Sequence, residues 1–337
     1  MKSIILVGGE GTRLRPLTYE MPKQMLPLLG VPMIERVVSF LASHGVTSVV
    51  LSLGYLPDRF IAAYPGGRIS GIPVTYVTES EPLDTAGAIR YAATEAGVDD
   101  TFVIVNGDIL TNLDLTKLVA FHRERGAEAT IALHPVDDPS RYGVVATDER
   151  GRVESFVEKP TKDLAPSNLI NAGVYVFEPS VLQHIAPQGR VSVERHTFPL
   201  LAEAGTLYAM ADDEYWLDTG TPLTYLQSSV DLLSDPRSPG VDQGNWIHPD
   251  ASVHPSATIQ HSAIDKGCQV SADVVITRSI LLPGVTVGAG ARLHQSLVGS
   301  AASIGEGARL DPVCVVGAHY SVEPGTHFEG DARLSVI

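Results

Sequence analysis

Gly8-Gly9-Glu10-Gly11-Thr12-Arg13-Leu14-Arg15-Pro16-Leu17-Thr18, followed by Pro22-Lys23, is a string suited to holding phosphate. Three glycines let the backbone come close to a phosphate chain and aim N–H groups at it. Arg13 and Lys23 add fixed positive charge where a triphosphate would lie. Two commoner phosphate motifs do not fit. A dinucleotide fingerprint needs a third glycine where Leu14 stands, and a P-loop needs Gly-Lys-Ser/Thr.

Two carboxylates stand in turn-like contexts further along. Asp108 follows Asn106-Gly107, and Asp218 lies in Tyr215-Trp216-Leu217-Asp218-Thr219-Gly220-Thr221. One Mg²⁺ shared between two carboxylates and substrate phosphates is a usual arrangement for that ion. Asn-Gly-Asp is also a common plain turn, and the sequence alone does not show that the two aspartates meet. Glu158-Lys159-Pro160 offers a carboxylate and an ammonium that can orient a sugar hydroxyl and a phosphate together, or an exposed pair before a proline turn. Asn171-Ala172-Gly173 places an amide just before an expected strand.

These residues must be positioned by an alternating pattern of strands and helices. The aliphatic run Ile4-Ile5-Leu6-Val7 reads as a buried parallel strand feeding the glycine string. Further strands are expected at Ser3–Val7, Ser48–Leu53, Val74–Val77 and Phe102–Val105, then at Ala129–His134, Gly143–Ala146, Val153–Phe156 and Gly173–Phe177. Helical spacing covers Met33–Ser43, Ala86–Ala96 and Leu115–Arg125, and Thr219 or Thr221 is placed to cap a helix from Pro222. The expectation is an α/β fold with a Rossmann-like mixed sheet, which binds ligands at the C-terminal ends of its strands. Residues 1–234 form this domain and 235–246 a linker rich in Pro and Gly.

From 247 to 337 a six-residue rhythm takes over. Aliphatic or aromatic residues recur at Ile247, Val253, Ile259, Ile264, Val270 and Ile276, resume after a phase slip at Val287 and Leu293, and continue through Val298, Ile304, Leu310, Val316, Val322, Phe328 and Leu334. Short self-similar repeats of this kind predict a parallel β-helix with three hexads per coil. Its stacked faces and open end predict a homo-oligomer.

The 337 residues carry 24 Lys and Arg against 39 Asp and Glu, a net charge of −15. Such a chain is a poor partner for nucleic acid or an anionic membrane, so anionic substrates need local cations, backbone amides and a metal. The two cysteines form neither a disulfide framework nor a zinc pattern. With no leader-like segment and no apolar run long enough for a bilayer, a cytoplasmic location is expected.

Together the motifs resemble the sugar-phosphate nucleotidylyltransferase family. The resemblance covers the whole chain and rests on the Gly8–Thr18 string with Lys23, Pro82-Leu83-Asp84-Thr85-Ala86-Gly87, Asn106-Gly107-Asp108, Phe156-Val157-Glu158-Lys159-Pro160, Asn171-Ala172-Gly173 and Trp216-Leu217-Asp218-Thr219-Gly220. Within the family it is most similar to the mannose-1-phosphate guanylyltransferase branch, whose bacterial members carry a C-terminal left-handed β-helix. The resemblance implies that Gly8, Gly9, Gly11 and Thr12 line the nucleotide phosphates and that Arg13 and Lys23 neutralise them. It implies Mg²⁺ on Asp108 and Asp218. It places the sugar phosphate on Glu158, Lys159 and Asn171, with Gly143 facing the sugar through its backbone; catalysis falls to Arg13, Lys23 and Lys159.

Glu79, five positions before Asp84, stands where uridylyl- and thymidylyl-transferring relatives tend to have Gln. A carboxylate accepts two hydrogen bonds and suits the N1–H and N2–H₂ edge of guanine, which points to GTP. Asp84 departs from the family, which usually has Gly there. Its carboxylate either crowds the nucleotide or bonds a ribose hydroxyl or base donor. Two other readings remain open: the same chemistry on glucose-1-phosphate with dTTP or UTP, and a non-catalytic subunit that binds a nucleotide sugar. Acyl transfer on the β-helix, with His254, His261, His294, His319 or His327 as base, is disfavoured because no long loop interrupts the coils.

Overall fold

Aliphatic side chains on both faces suit a strand covered on both sides. In the computed structural model, which describes residues 1–336, Ile4, Ile5 and Val7 are fully buried within the strand Lys2–Val7 of a ten-stranded sheet. Ser48–Leu53 and Phe102–Asn106 flank this strand in parallel, and Ile72–Thr78 continues the parallel half. The other half is largely antiparallel: Leu169–Phe177 pairs with Phe102–Asn106 and with Ala129–Pro135, and Gly143–Thr147 pairs with Val153–Glu158. This is the mixed sheet expected.

Helices Met33–Ser43 and Leu115–Arg125 occupy their expected bounds, and the helix expected at Ala86–Ala96 spans Asp84–Glu95. Leu115–Arg125 shows why its ends were readable. Asp114 accepts the Lys117 N–H at the start, and Gly126 closes the end with a left-handed φ of 59°. Phe102, Tyr175, Phe177 and Phe198 pack edge to face in the core at ring separations of 5.3–6.3 Å.

One expectation is corrected. The strand expected to begin at Gly173 begins at Leu169, so Asn171-Ala172-Gly173 lies within it. The register against Ala129–Pro135 shifts between Asn171 and Tyr175, and Gly173 takes φ 73°. A bulge breaks the period-2 pattern that strand prediction relies on.

In the β-helix the repeating apolar residues form three columns, buried or partly buried except at the exposed Ile247 of the first coil. Ile247, Ile264, Leu281, Val298, Val316 and Leu334 stack in one. Val253, Val270, Val287, Ile304 and Val322 form the second. Ile259, Ile276, Leu293, Leu310 and Phe328 form the third. Leu281 fills the position that the sequence rhythm skipped, because one side of the early coils is a residue short. At that tight corner His261, Arg278 and Gln295 have positive φ, and each is followed by a buried serine. The Ser279 N–H donates to Ser262 Oγ at 3.1 Å and the Ser296 N–H to Ser279 Oγ at 3.0 Å, satisfying buried backbone groups up the stack.

The chain packs as two compact units. One holds Met1–Gly9 with Ile34–Trp216; the other holds Glu10–Met33 with the chain from Leu217 onward. Cys268 and Cys314 are unbonded and buried, and burial pushes the Cys268 thiol up to about 11. Among the described residues no helix is long and apolar enough to cross a membrane.

Candidate functional site

In the first unit Gly8 and Gly9 leave the end of the strand Lys2–Val7. Here close approach is imposed by a neighbour: a Cβ on Gly54 would stand 2.9 Å from the Gly8 carbonyl oxygen and 3.0 Å from Gly8 Cα. Gly54 was missed from sequence; its only signal is its place directly after the strand Ser48–Leu53. Glu79 stands beside it, its Oε1 3.6 Å from where a Gly8 Cβ would be.

Glu79 is not a solvated strand-end residue. Ser52 Oγ donates to its Oε1 at 3.1 Å and the Leu83 N–H to its Oε2 at 3.1 Å. Burial pushes its carboxyl above the usual range, against the opposing pull of these two bonds. Each oxygen is thus fixed in direction and retains a further lone pair.

Asp84 is exposed and has φ 61°, with its Oδ1 accepting the Thr85 N–H at 2.8 Å. The left-handed backbone gives a physical reason for glycine at this position, and Asp is among the few other residues that tolerate it. Thr85 bridges to another segment: its hydroxyl donates to Glu194 Oε2 at 2.8 Å and accepts the Val193 N–H at 2.8 Å.

Asn106 and Asp108 lie beside the bulged strand. A Cβ on Gly173 would stand 2.6 Å from Asn106 Nδ2, which ties two of the sequence motifs together. Asn171 is committed within the protein, with Oδ1 accepting the Gly173 N–H at 2.9 Å and Nδ2 donating to the Tyr175 hydroxyl at 2.9 Å. One amide hydrogen and one lone pair remain for a ligand. Tyr175 is fully buried; burial raises its pKa, and the charges of Glu194, Glu158 and Asp108 raise it further. This tyrosine, unmarked in the sequence, therefore lies among Asn171 and three carboxylates.

Gly143 sits directly across from Glu158 in the hairpin register. A Cβ on Gly143 would stand 2.5 Å from the Phe156 ring and 3.0 Å from Glu158 Oε2, so only glycine lets these two side chains close on the backbone there. The Lys159 backbone turns to φ 50°, and its N–H donates to the Tyr142 carbonyl at 2.9 Å. Its Nζ lies 3.3 Å from Glu158 Oε1, with the lysine side chain 60% and the glutamate side chain 22% exposed. The two side chains form an ion pair in which the lysine is the more exposed member.

The remaining predicted residues lie in the second unit. Gly11 has φ 63°, and a Cβ there would stand 3.0 Å from Thr18 Cγ2 and 3.2 Å from Lys23 Cβ. The Thr18 hydroxyl donates to the Gly11 carbonyl at 2.8 Å. Thr12 and Arg13 follow in a single turn of 3₁₀ helix, and Lys23 opens a second. Asp218 Oδ1 accepts the Gly220 N–H at 2.7 Å, and the Arg13 guanidinium packs on Gly220. Thr221, one of two expected caps, caps the helix Pro222–Ser234 through a reciprocal box with Thr224. Gly220, which has no side chain of its own to do chemistry, leaves room for the Arg13 guanidinium.

The structure thus brings Gly8, Glu79, Asp84, Asp108, Gly143, Glu158, Lys159 and Asn171 into one unit, and Gly11, Thr12, Arg13, Lys23 and Asp218 into the other. Among the described residues no group of three or more His, Cys, Asp or Glu side chains is arranged to hold a metal ion. An all-oxygen pair of carboxylates completed by substrate phosphates and water suits Mg²⁺, which rarely relies on an all-protein cage.

The profile of the nucleotidyl transferase family matches residues 2–235, and that of the GMPPB C-terminal domain matches residues 241–334. The mannose-1-phosphate guanylyltransferase of Mycobacterium tuberculosis is 41% identical over 276 residues, covering 80% of this chain and 76% of its own. Mannose-1-phosphate guanylyltransferase 1 of Arabidopsis thaliana is 38% identical, covering 82% and 76%. Among solved structures, HddC from Yersinia pseudotuberculosis complexed with GMP-PN is 30% identical with a TM-score of 0.58, covering 68% of this chain and 97% of its own.

Proposed function

Since the chain belongs to the nucleotidyl transferase family, we propose that it joins GTP and mannose-1-phosphate to give GDP-mannose and pyrophosphate. The observation that carries the guanine assignment is Glu79, half-buried beside the glycine turn with each oxygen fixed by one protein donor. Its remaining lone pairs match the N1–H and N2–H₂ edge of guanine, whereas a pyrimidine imide pairs better with an amide. The curated relatives named mannose-1-phosphate guanylyltransferase, and a solved relative complexed with GMP-PN, support the reading.

A phosphate oxygen of the sugar phosphate attacks the α-phosphorus in line. A new P–O bond forms, the α–β bridging P–O bond breaks, and pyrophosphate leaves with the electron pair. The second ionisation of a phosphate monoester lies near ~6, so the nucleophile is already an anion at neutral pH and needs no general base. The chain's work is therefore positioning and charge stabilisation. Gly8, Gly9, Gly11 and Thr12 present backbone groups to the nucleotide. Arg13 and Lys23 stabilise the departing pyrophosphate. Lys159 holds the attacking phosphate against its repulsion from the triphosphate, with Glu158, Asn171 and the Gly143 backbone orienting the sugar. Asp108 and Asp218 are the ligands we assign to Mg²⁺, which when bound would screen the two anions and polarise the α-phosphate. A cytoplasmic homo-oligomer assembled through the β-helix completes the proposal.

The reverse reaction tests it. GDP-mannose with pyrophosphate and Mg²⁺ should yield GTP and mannose-1-phosphate. Folded protein that forms neither product would overturn the assignment.

A further inference from the structure

The segment Glu10–Met33, which carries Arg13 and Lys23, packs in the same compact unit as the β-helix rather than with the sheet that precedes it in sequence. It is held near both ends. At the first, Pro16 abuts Gly317: a Cβ on Gly317 would stand 3.1 Å from Pro16 Cβ and 3.3 Å from its Cγ. Beside it Arg333 Nη1 donates to the Arg15 carbonyl at 3.4 Å, and His319 Nε2 lies 4.0 Å from Glu20 Oε2. At the second, the Trp246 ring lies so close to Gly30 that a Cβ there would stand 2.6 Å from it, and the Tyr225 hydroxyl donates to the Pro27 carbonyl. Trp246 belongs to the first coil; Gly317 and Arg333 belong to the last.

From this we infer that the β-helix is a positioning platform for the phosphate-binding turn, with Gly317 and Arg333 setting the place of Arg13 and Lys23 through Arg15 and Pro16. The inference rests on Arg13 and Lys23 serving the nucleotide phosphates, as proposed above. The intervening backbone has little slack, since Leu14 N–H bonds Gly11 O at 2.9 Å, Leu17 N–H bonds Leu14 O at 3.1 Å and Met25 N–H bonds Pro22 O at 2.9 Å. A shift of Pro16 is therefore passed to Arg13, three residues away. A misplacement of about 1 Å at such a group can lower turnover by about a hundredfold. The residues assigned to the sugar phosphate lie in the other unit and should not feel it.

The test uses the full chain with Gly317→Ala, Arg333→Ala and Arg333→Lys, read by kinetics and by amide hydrogen exchange. Gly317→Ala and Arg333→Ala should lower kcat at least about fivefold and raise KM for the triphosphate, leaving KM for the sugar phosphate unchanged. Exchange should quicken at Leu14, Leu17 and Met25 and stay unchanged at Phe102–Asn106 and in the coils Val275–Leu293. Arg333→Lys, which keeps a donor for the Arg15 carbonyl, should restore both readouts. Wild-type kinetics and exchange in both alanine variants would overturn the inference. So would exchange that quickens throughout the β-helix while every kinetic constant moves together, since that is general destabilisation. If the wild-type protein turns over no sugar phosphate, the reaction proposed above fails, and exchange with equilibrium triphosphate binding still decides this inference.

Discussion

The guanidinium of Arg13 and the carboxylate of Asp218 converge on Gly220: a Cβ at that glycine would stand 2.6 Å from Arg13 Nη2 and 2.7 Å from Asp218 Oδ1. A pyrophosphate-stabilising cation and a metal-binding carboxylate would thus share one bare backbone position. Gly220 has an ordinary φ, so the constraint is space and not conformation.

Gly220→Ala should therefore displace one of the two side chains without unfolding the chain. We expect kcat to fall about tenfold or more, as for a catalytic group moved by a fraction of its working distance. Steady-state kinetics beside a melting curve checks it; an active variant would remove this contact from the mechanism.

Lys23 packs its Cβ beside Gly11 at the start of the second 3₁₀ turn of the segment Glu10–Met33. Lys23→Ala should lower kcat by about a hundredfold or more, the scale of losing a group that stabilises developing charge. Asp108→Asn should likewise abolish Mg²⁺-dependent turnover while circular dichroism stays unchanged. Normal activity in either variant would remove that residue from its assigned role.

Glu79 gives a prediction in which pH carries a sign. Burial raises its folded-state pKa, so the ionised form is disfavoured in the native protein. Stability linked to this group is present below the ordinary carboxylate pKa and is lost as pH rises through the raised value. Glu79→Gln cannot ionise and gives up one of the two acceptors, so its melting temperature relative to wild type should rise between about pH 4 and neutral pH. The same variant should lose its preference for GTP over UTP. A melting-temperature difference that stays constant from about pH 4 to neutral pH would contradict the first statement, and an unchanged base preference the second.

Asp84 turns one oxygen to the Thr85 N–H and holds a left-handed φ. If backbone conformation is what the position demands, Asp84→Gly should change KM for the triphosphate by less than about twofold, because glycine adopts this φ freely. Asp84→Val should destabilise the chain, since a β-branched residue is strained there. A large change of KM in the glycine variant would assign the carboxylate a direct role at the nucleotide.

Local patterns carried most of the fold. Met33–Ser43 was legible from its helical spacing, and Leu115–Arg125 from spacing together with the end signals of Asp114 and Gly126. The β-helix was legible from its rhythm, except at Leu281, where a shortened corner shifts the phase. The start of the Leu169–Phe177 strand was not legible, because its bulge breaks alternation. In the candidate site the motifs named the chemistry-bearing residues but not their supports. Ser52 and Gly54 act through contacts distant in sequence that leave no local mark. Nor does anything between Glu10 and Met33 announce that Gly317 and Trp246 will hold it.

The most direct test is pyrophosphate release with Mg²⁺, crossing GTP, dTTP, UTP, ATP and CTP with mannose-1-phosphate and glucose-1-phosphate. The account predicts that GTP with mannose-1-phosphate is the fastest pair and that Glu79→Gln erases the advantage of GTP. Fastest release with another pair would contradict the role given to Glu79, and no release from folded protein with any pair would contradict the proposed reaction itself.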